Sequence, residues 1–125
     1  MLKSVTALIV NGEGKVLAVS RRNDPDNLGL PGGKIDSGET PEQAVIREVK
    51  EEVGIDIIKF ESVFDRPDFP GWEMVCRCFR ITEYIGEPKE IEPDIKVVWV
   101  CPERLLEPNC TFANYNSALF KHVGL

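Results

Sequence analysis

The sequence has a single histidine, only four cysteines among 125 residues, and no apolar run as long as a membrane-spanning helix. Its longest apolar stretch, Val5 to Val10, is interrupted by Thr6 and followed by a turn. The N-terminus lacks the layout of a secretory signal, so we expect a cytoplasmic protein with free thiols. With a single histidine in the chain, the sequence does not favour a catalytic mechanism based on histidine.

Basic residues are scarce relative to acidic ones. The chain has 15 Lys and Arg against 21 Asp and Glu, which gives a formal net charge of −6. This argues against a nucleic-acid polymer or an anionic membrane as partner, because both bind through surplus Lys and Arg. Composition alone also disfavours a polyphosphate ligand. The length and a hydrophobic content of 42% predict one globular domain over residues 1–125.

The cysteine spacing does not favour a metal centre. Cys76 and Cys78 are separated by one residue on a predicted strand, so both are expected on one face. Zinc sites favour pairs separated by about two to four residues, and His122 is the sole histidine that could complete one. Cys101 and Cys110 lie well downstream, and we expect buried free thiols.

Apolar and turn-forming residues predict strands and helices in an irregular order. The predicted strands cover residues 5–10, 15–20, 55–64, 74–84 and 95–100, and short helices cover residues 103–106 and 114–122. The first two strands are expected to form a hairpin through the turn at Asn11–Gly14. A polar loop at residues 23–27 and a glycine-rich loop at residues 28–33 follow. This order predicts an α/β sandwich with a mixed sheet.

One long helix is predicted over Pro41–Val53. Thr40 suits its N-cap position, Pro41 suits the first turn, and Gln43 completes a capping box. Gly54 provides a C-terminal stop. The apolar residues on its buried face recur at helical spacing: Ala44, Val45, Val49 and Val53.

The same helix carries Glu48, Glu51 and Glu52 at i, i+3 and i+4, so their carboxylates share one narrow stripe. Like charges this close repel one another, which indicates a cation at the stripe. A hard divalent ion such as Mg²⁺ takes a few carboxylates and keeps waters and substrate phosphates as its other ligands. Arg47 is placed to orient one carboxylate, and backbone near Gly33 is expected to approach the same point.

Together these residues resemble the Nudix box. The segment reads GKIDSGETPEQAVIREVKEEVGI over residues 33–55, and each box position is filled as the pattern requires. The chain is therefore identified as resembling the Nudix hydrolases, which implies a Nudix-type α/β/α sandwich with a mixed central sheet. The resemblance also implies cleavage of a nucleoside diphosphate linked to another group, with Mg²⁺ or Mn²⁺ as cofactor.

The resemblance assigns roles to individual residues. It implies that Glu48, Glu52 and the Gly33 carbonyl bind metal, and that Glu51 is a ligand or a base. Arg47 would orient Glu51 as part of the catalytic set.

Two acids outside the helix also receive roles. Glu39 would brace the loop or a metal-bound water. Many members use a further acid between the late strands, and among Glu90, Glu92 and Asp94 we choose Glu92 as catalytic, against the alternative of a solvated acidic loop.

The pattern is similar to MutT-type nucleoside triphosphate diphosphatases, which release a nucleoside monophosphate and pyrophosphate. In that group an Asn near the terminal helix reads the purine, and Asn114 is placed similarly, although it could instead cap the helix. Of Arg21 and Arg22, at the end of a strand, one is expected to contact phosphate and the other to be ordinary surface. Trp72 and Phe69 could stack on a base or belong to the core or rim.

Two alternatives stay open at this point. Pro70 lies where enzymes acting on ADP-ribose or nucleoside-diphosphate sugars often have a proline. A non-catalytic Nudix-like module that binds a nucleotide is the other. The tyrosine typical of diadenosine polyphosphate hydrolases is missing, since Gly71, Trp72 and Glu73 occupy that region. The expected partner is a small nucleotide, and the sequence does not distinguish a monomer from a homodimer.

Overall fold

The computed structural model describes residues 1–67 and 75–125. The described residues form seven strands, two α-helices and one 3₁₀ helix. In chain order these are β1 (Leu2–Leu8), β2 (Val16–Arg21), β3 (Asp24–Gly29), β4 (Gly32–Lys34), α1 (Pro41–Val53), β5 (Asp56–Pro67), β6 (Val75–Ile85), β7 (Val97–Val100), the 3₁₀ helix (Pro102–Leu106) and α2 (Ala113–Val123).

The strands of the described residues form two sheets. One has the order β4-β1-β6-β5 and is mixed, because β1 runs parallel to β6 and the other pairs are antiparallel. The other has the order β3-β2-β7 and is antiparallel. Helix α1 contacts β4, β1 and β5, whereas α2 contacts β5 and the 3₁₀ helix. The predicted α/β sandwich with a mixed sheet is confirmed.

Alternating residues of β1 serve two separate cores. Val5 and Ala7 pack with the buried face of α1, and Leu8 packs with Tyr115 and Leu119 of α2. The alternation follows from the strand period of two. The mixed sheet is thus covered by a helix on each face, and its edge at β4 lies beside α1.

Helix α1 has the predicted ends. The Thr40 hydroxyl accepts a hydrogen bond from the Gln43 amide at 3.1 Å, and the Gln43 side chain accepts one from the Thr40 amide at 3.0 Å. At the C-terminus Gly54 adopts a left-handed φ of 78° and donates to the Lys50 carbonyl. The predicted apolar residues form the buried face of the helix. Glu48 and Glu52 are half-buried at the margin of that face, whereas Glu51 is exposed.

The prediction that β1 and β2 form a hairpin is wrong except at the turn that joins them. The turn forms, with a bridge between Val10 and Val16, but β1 and β2 then enter different sheets. The polar loop expected at residues 23–27 is mostly strand β3, and the end of the glycine-rich loop is strand β4. Both lie at sheet edges, where backbone pairing tolerates Pro25 and the glycines that weaken a strand signal.

Several other expectations are confirmed. Cys76, Cys78 and Cys110 are buried in the same core, and all four cysteines are free. Cys101 is exposed, so the expectation of a buried thiol is wrong at that position. His122 lies in the last turn of α2. Phe69, Pro70 and Trp72 fall outside the described residues, so their expected roles stay predictions. Within the part of the chain that the structure describes, no helix is both long and apolar enough to cross a membrane.

Candidate active site

Glu48 packs directly on the backbone of Gly33. A Cβ atom added at Gly33 would lie 2.5 Å from both Cδ and Oε1 of Glu48, so only glycine leaves room for this carboxylate. Strand β4 holds Gly33 opposite Val5 of β1, and this fixes the backbone beneath the carboxylate. The structure therefore brings the predicted Gly33 carbonyl and Glu48 together.

Arg47 organises the acids at the start of this site. Its Nε and Nη2 donate to the two oxygens of Glu39 at 2.8 and 2.9 Å, and its Nη1 donates to Oε1 of Glu48 at 2.8 Å. Two parallel hydrogen bonds from a guanidinium to a carboxylate fix both the position and the orientation of the carboxylate, here that of Glu39. Glu51, which the resemblance links to Arg47, is 3.5 Å from Nη1, and its side chain is 60% exposed. Arg47 thus positions Glu39 and Glu48 more closely than it positions Glu51.

Glu39 connects this arginine to the loop before α1. Its Oε1 also accepts a hydrogen bond from the Asp36 amide at 3.0 Å. The hydrogen bonds from Arg47 and the Asp36 amide lower the pKa of Glu39 to about 2. The expected bracing of the loop fits this geometry.

Glu52 lies deepest of the three helix acids. Its Oε1 accepts a hydrogen bond from the Gly32 amide at 2.7 Å. Burial, together with the charges of Glu48, Glu51 and Glu92, raises the pKa of Glu52 to about 8 against the lowering effect of that hydrogen bond. Burial likewise raises the pKa of Glu48. Both carboxylates lie in surroundings that disfavour a negative charge without a cation.

In the side-chain arrangement of residues 1–67 and 75–125, no three His, Cys, Asp or Glu side chains converge to enclose a metal ion. One oxygen of Glu48 accepts a hydrogen bond from Arg47, and one oxygen of Glu52 accepts one from the Gly32 amide. Each of these two glutamates keeps a second oxygen for a ligand.

A cavity of about 640 Å³ begins at Glu52 and runs between the two sheets towards α2. Its size falls in the usual range for small-molecule sites. Arg21, Arg22 and Lys34 line it, and among the described residues Arg21 and Lys34 have no carboxylate partner. The protein is acidic overall, but this cavity carries positive charge that no carboxylate of the described residues neutralises. The expectation from composition alone, that a polyphosphate ligand is disfavoured, does not hold at this place.

Arg22 and Glu92, predicted for separate roles, pair with each other. Arg22 Nη2 donates to Oε2 of Glu92, and its Nη1 is 3.7 Å from Oδ2 of Asp94. The Asn23 amide also donates to the Asp94 carbonyl, so the β2–β3 turn is bound to the acidic segment before β7. Glu92 is thereby held close enough to affect the pKa of Glu52.

The terminal helix presents a different asparagine from the expected one. Asn114 lies in the first turn of α2, is exposed, and is not among the residues that line the cavity. It does not cap the helix either, because the N-cap is Phe112. Asn116 is 2% exposed and lines the cavity. Its position beside Tyr115 on the apolar face of the helix is the sequence signal that could have identified it.

The side chain of Asn116 has a fixed orientation. Its Nδ2 donates to the carbonyls of Leu105 and Thr111, both at 3.2 Å. Its Oδ1 accepts no hydrogen bond from the described residues. A buried amide with an unused acceptor is unusual in a folded protein, and this oxygen is free to accept a hydrogen bond from a ligand or a water.

The family model described as a NUDIX domain matches residues 2–119. The chain is a member of the Nudix family. This Nudix chain is 39% identical over 93 residues to an 8-oxo-dGTP diphosphatase of Escherichia coli (strain K12), across 68% of this chain and 71% of that protein. It is 43% identical over 93 residues to an ADP-ribose pyrophosphatase of Methanocaldococcus jannaschii, across 70% of this chain and 54% of that protein.

A solved structure supports the same assignment. The crystal structure of the MutT NUDIX hydrolase from Burkholderia pseudomallei superposes with a TM-score of 0.73 and 29% identity, covering 93% of this chain and 95% of that one. The expected MutT-like Nudix fold is confirmed. Family membership makes the chain an enzyme that hydrolyses pyrophosphate bonds. Nudix hydrolases generally use divalent metal ions.

Proposed function

We propose that this Nudix enzyme hydrolyses nucleoside or deoxynucleoside triphosphates, oxidised ones included, to a nucleoside monophosphate and pyrophosphate. One observation carries the proposal: a single cavity is lined by Glu52 of α1, by the buried Asn116 with its unused amide acceptor, and by cations that have no carboxylate partner among the described residues. A nucleotide has the same order of groups, with its phosphate chain at one end and its base at the other.

The phosphate end of the proposed complex lies at α1. We assign a divalent cation, Mg²⁺ or Mn²⁺, to Glu48, Glu52 and the Gly33 carbonyl, with Glu51 as a further ligand or base. The residues fit such an ion, because Glu48 and Glu52 are half-buried carboxylates, and a cation would stabilise the charged forms that burial disfavours by raising the pKa of both. When bound, the ion supplies charge neutralisation for the phosphates and a more acidic water.

The protein itself contributes positioning and charge. Arg47 holds Glu48, and Arg21 offers its guanidinium to the phosphate chain. Water adds its oxygen to one phosphorus atom while the bridging P–O bond breaks, and its electrons leave with the departing phosphate group. A carboxylate such as Glu51, Glu52 or Glu92 accepts the proton of the water as a base. In this proposal Glu92 can take part only after it separates from Arg22.

The base end lies at α2. Asn116 supports this placement, because its unused Oδ1 can accept a hydrogen bond from a base N–H. A role for Asn114 would need its exposed side chain to reach the cavity. Stacking on Trp72 stays a prediction, and so does the cytoplasmic location.

The proposal is tested with a panel of (d)NTPs, oxidised dNTPs and ADP-ribose in the presence of Mg²⁺, with products identified by mass. We expect monophosphate and pyrophosphate from at least one triphosphate. Reaction in H₂¹⁸O identifies the attacked phosphorus, because the label enters either the monophosphate or the pyrophosphate. Absence of turnover on every triphosphate would refute the proposal.

A second candidate is hydrolysis of ADP-ribose or another nucleoside-diphosphate sugar. The 43% identity to the archaeal ADP-ribose pyrophosphatase favours it. The same panel separates the two, since this activity yields AMP and ribose 5-phosphate. Preferential turnover of ADP-ribose over all triphosphates would establish the second candidate in place of the first.

A further inference from the structure

Thr111 connects three parts of the cavity wall, because its amide, its carbonyl and its hydroxyl all make hydrogen bonds. Its amide donates to the Leu28 carbonyl at 3.1 Å, and its carbonyl accepts from Asn116 Nδ2 at 3.2 Å. Its hydroxyl donates to Asn27 Oδ1 at 2.7 Å and accepts from Arg21 Nε at 3.2 Å. Strand β2, strand β3 and the segment before α2 therefore meet at this residue.

The hydroxyl has a fixed direction. A threonine hydroxyl has one proton, and here Asn27 Oδ1 takes it, so a lone pair remains for Arg21. The backbone of Thr111 is fixed as well, because it packs against Gly29 at a distance where an added Cβ would lie only 3.1 Å from the Thr111 Cβ. Asn27, Thr111 and Arg21 thus form a chain of hydrogen bonds from β3 to β2.

Arg21 has no other side-chain partner among the described residues. It is an exposed arginine that lines the cavity, and its hydrogen bond to Thr111 uses only Nε. Both Nη groups stay available as donors. An arginine that presents two Nη donors in a fixed plane suits the oxygens of a phosphate chain, whereas a freely rotating one first loses side-chain entropy on binding.

We propose that Thr111 is a positioning residue: its hydroxyl holds Arg21 so that the guanidinium meets the phosphate chain of the substrate. The inference rests on the proposed function and deepens it, because it names the residue that prepares the phosphate contact. Its effect is expected on substrate affinity and not on the chemical step, since Arg21 belongs to β2 and makes no contact with the glutamates of α1 among the contacts of the described residues.

The test compares Thr111→Val, which keeps the shape but removes the hydroxyl, with Thr111→Ser, which keeps the hydroxyl. Calorimetry without divalent ions measures the Kd for inorganic tripolyphosphate, which has a phosphate chain and no base. Steady-state kinetics on the preferred substrate of the panel gives kcat and KM. We expect Thr111→Val to raise Kd and KM about fivefold with kcat within about twofold of wild type, and Thr111→Ser to restore both.

A double-mutant cycle shows whether the effect passes through Arg21. Arg21→Lys keeps the positive charge but removes the planar guanidinium with its two Nη groups, so we expect it to weaken tripolyphosphate binding by a similar factor. Thr111→Val added to Arg21→Lys should change Kd by less than about twofold. Thr82→Val is the matched control, because its exposed hydroxyl donates to the Lys59 carbonyl away from the cavity.

Several results would overturn the inference. The first is a folded Thr111→Val variant that binds tripolyphosphate with the wild-type Kd. The second is an equal loss of tripolyphosphate affinity in Thr111→Val and Thr111→Ser. The third is a further loss of affinity when Thr111→Val is added to Arg21→Lys. If Thr111→Val does not fold, wild-type tripolyphosphate affinity in Arg21→Lys overturns it instead. Failure of the triphosphate proposal can be told apart from failure of this inference. In the first case wild type would turn over no triphosphate, but the double-mutant cycle could still be measured with tripolyphosphate.

Discussion

Replacing Gly33 by alanine should separate the function of Glu48 from the stability of the fold. The new Cβ would lie 2.5 Å from Cδ and Oε1 of Glu48, whereas ordinary contact begins near 3.4 Å. The carboxylate must therefore move by about 0.9 Å, the difference between these two distances. Because the obstructed atoms are the end of a flexible side chain, we expect the free energy of unfolding to fall by about 1 kcal/mol or less.

The effect on catalysis should be much larger. A displacement of about 1 Å in a positioned group can lower the rate by about 10²-fold, so we expect kcat of Gly33→Ala to fall by about 10- to 100-fold. The assay is the rate of pyrophosphate release at saturating nucleotide and Mg²⁺, beside denaturant unfolding of the same samples. Gly12→Ala is the matched control, since no described atom lies within 4 Å of its added Cβ.

Wild-type kcat in Gly33→Ala would refute this reasoning, because it would show that the carboxylate position does not matter. A loss of several kcal/mol in unfolding free energy would also contradict it, since Glu48 would then be unable to move aside.

Other predictions follow from the same site. The pKa of Glu52 is raised from 4.5 in the unfolded chain to about 8 in the fold, so without metal the stability of wild type should fall as pH rises through this window. Glu52→Gln should then be more stable than wild type by about 4 kcal/mol at pH 8 and equal to it at pH 4 in chemical unfolding, unlike the exposed control Glu103→Gln. Arg47→Lys loses the fork to Glu39, so we expect kcat to fall about tenfold and an NMR titration to show the pKa of Glu39 rising towards its usual value. Thr40→Ala removes half of the capping box and should lower Tm by about 3–5 °C in calorimetry, with Thr40→Ser restoring most of it.

Local signals explain which parts of the fold the sequence predicts well. Helix α1 is predicted to its ends, because capping residues and apolar spacing act within the segment itself. Strand β3 is missed, because Asp24, Pro25 and Asp26 form a strand only through pairing with β2 at a sheet edge. The separation of β1 from β2 depends on which distant strands each one pairs with, and no local pattern encodes that choice.

The same distinction applies to the site. Glu48, Glu51 and Glu52 are near one another in sequence, so the helix alone brings them together. The contacts of Arg21 with Thr111 and of Arg22 with Glu92 span 90 and 70 positions, and only the folded chain reveals them. The sequence analysis did not select Asn116, because the resemblance to MutT-type enzymes favoured Asn114.

The charge distribution also becomes clear only in the fold. The net charge of −6 describes the whole surface, but acids and cations are separated at the cavity. Glutamates gather at one end, and Arg21 and Lys34 line the wall without carboxylate partners among the described residues. Composition averages over this separation, which is why it disfavoured the polyphosphate ligand that we propose for the cavity.

The most direct test of the proposed site is pyrophosphate release from the preferred triphosphate by wild type and Glu52→Gln, at saturating Mg²⁺ and equal folded protein. Glutamine is nearly the same size as glutamate and can still accept the hydrogen bond from the Gly32 amide, but it cannot provide a charged metal ligand. We expect kcat to fall by about 10³-fold or more while the fold persists. Full activity in Glu52→Gln would contradict the placement of the catalytic centre on α1.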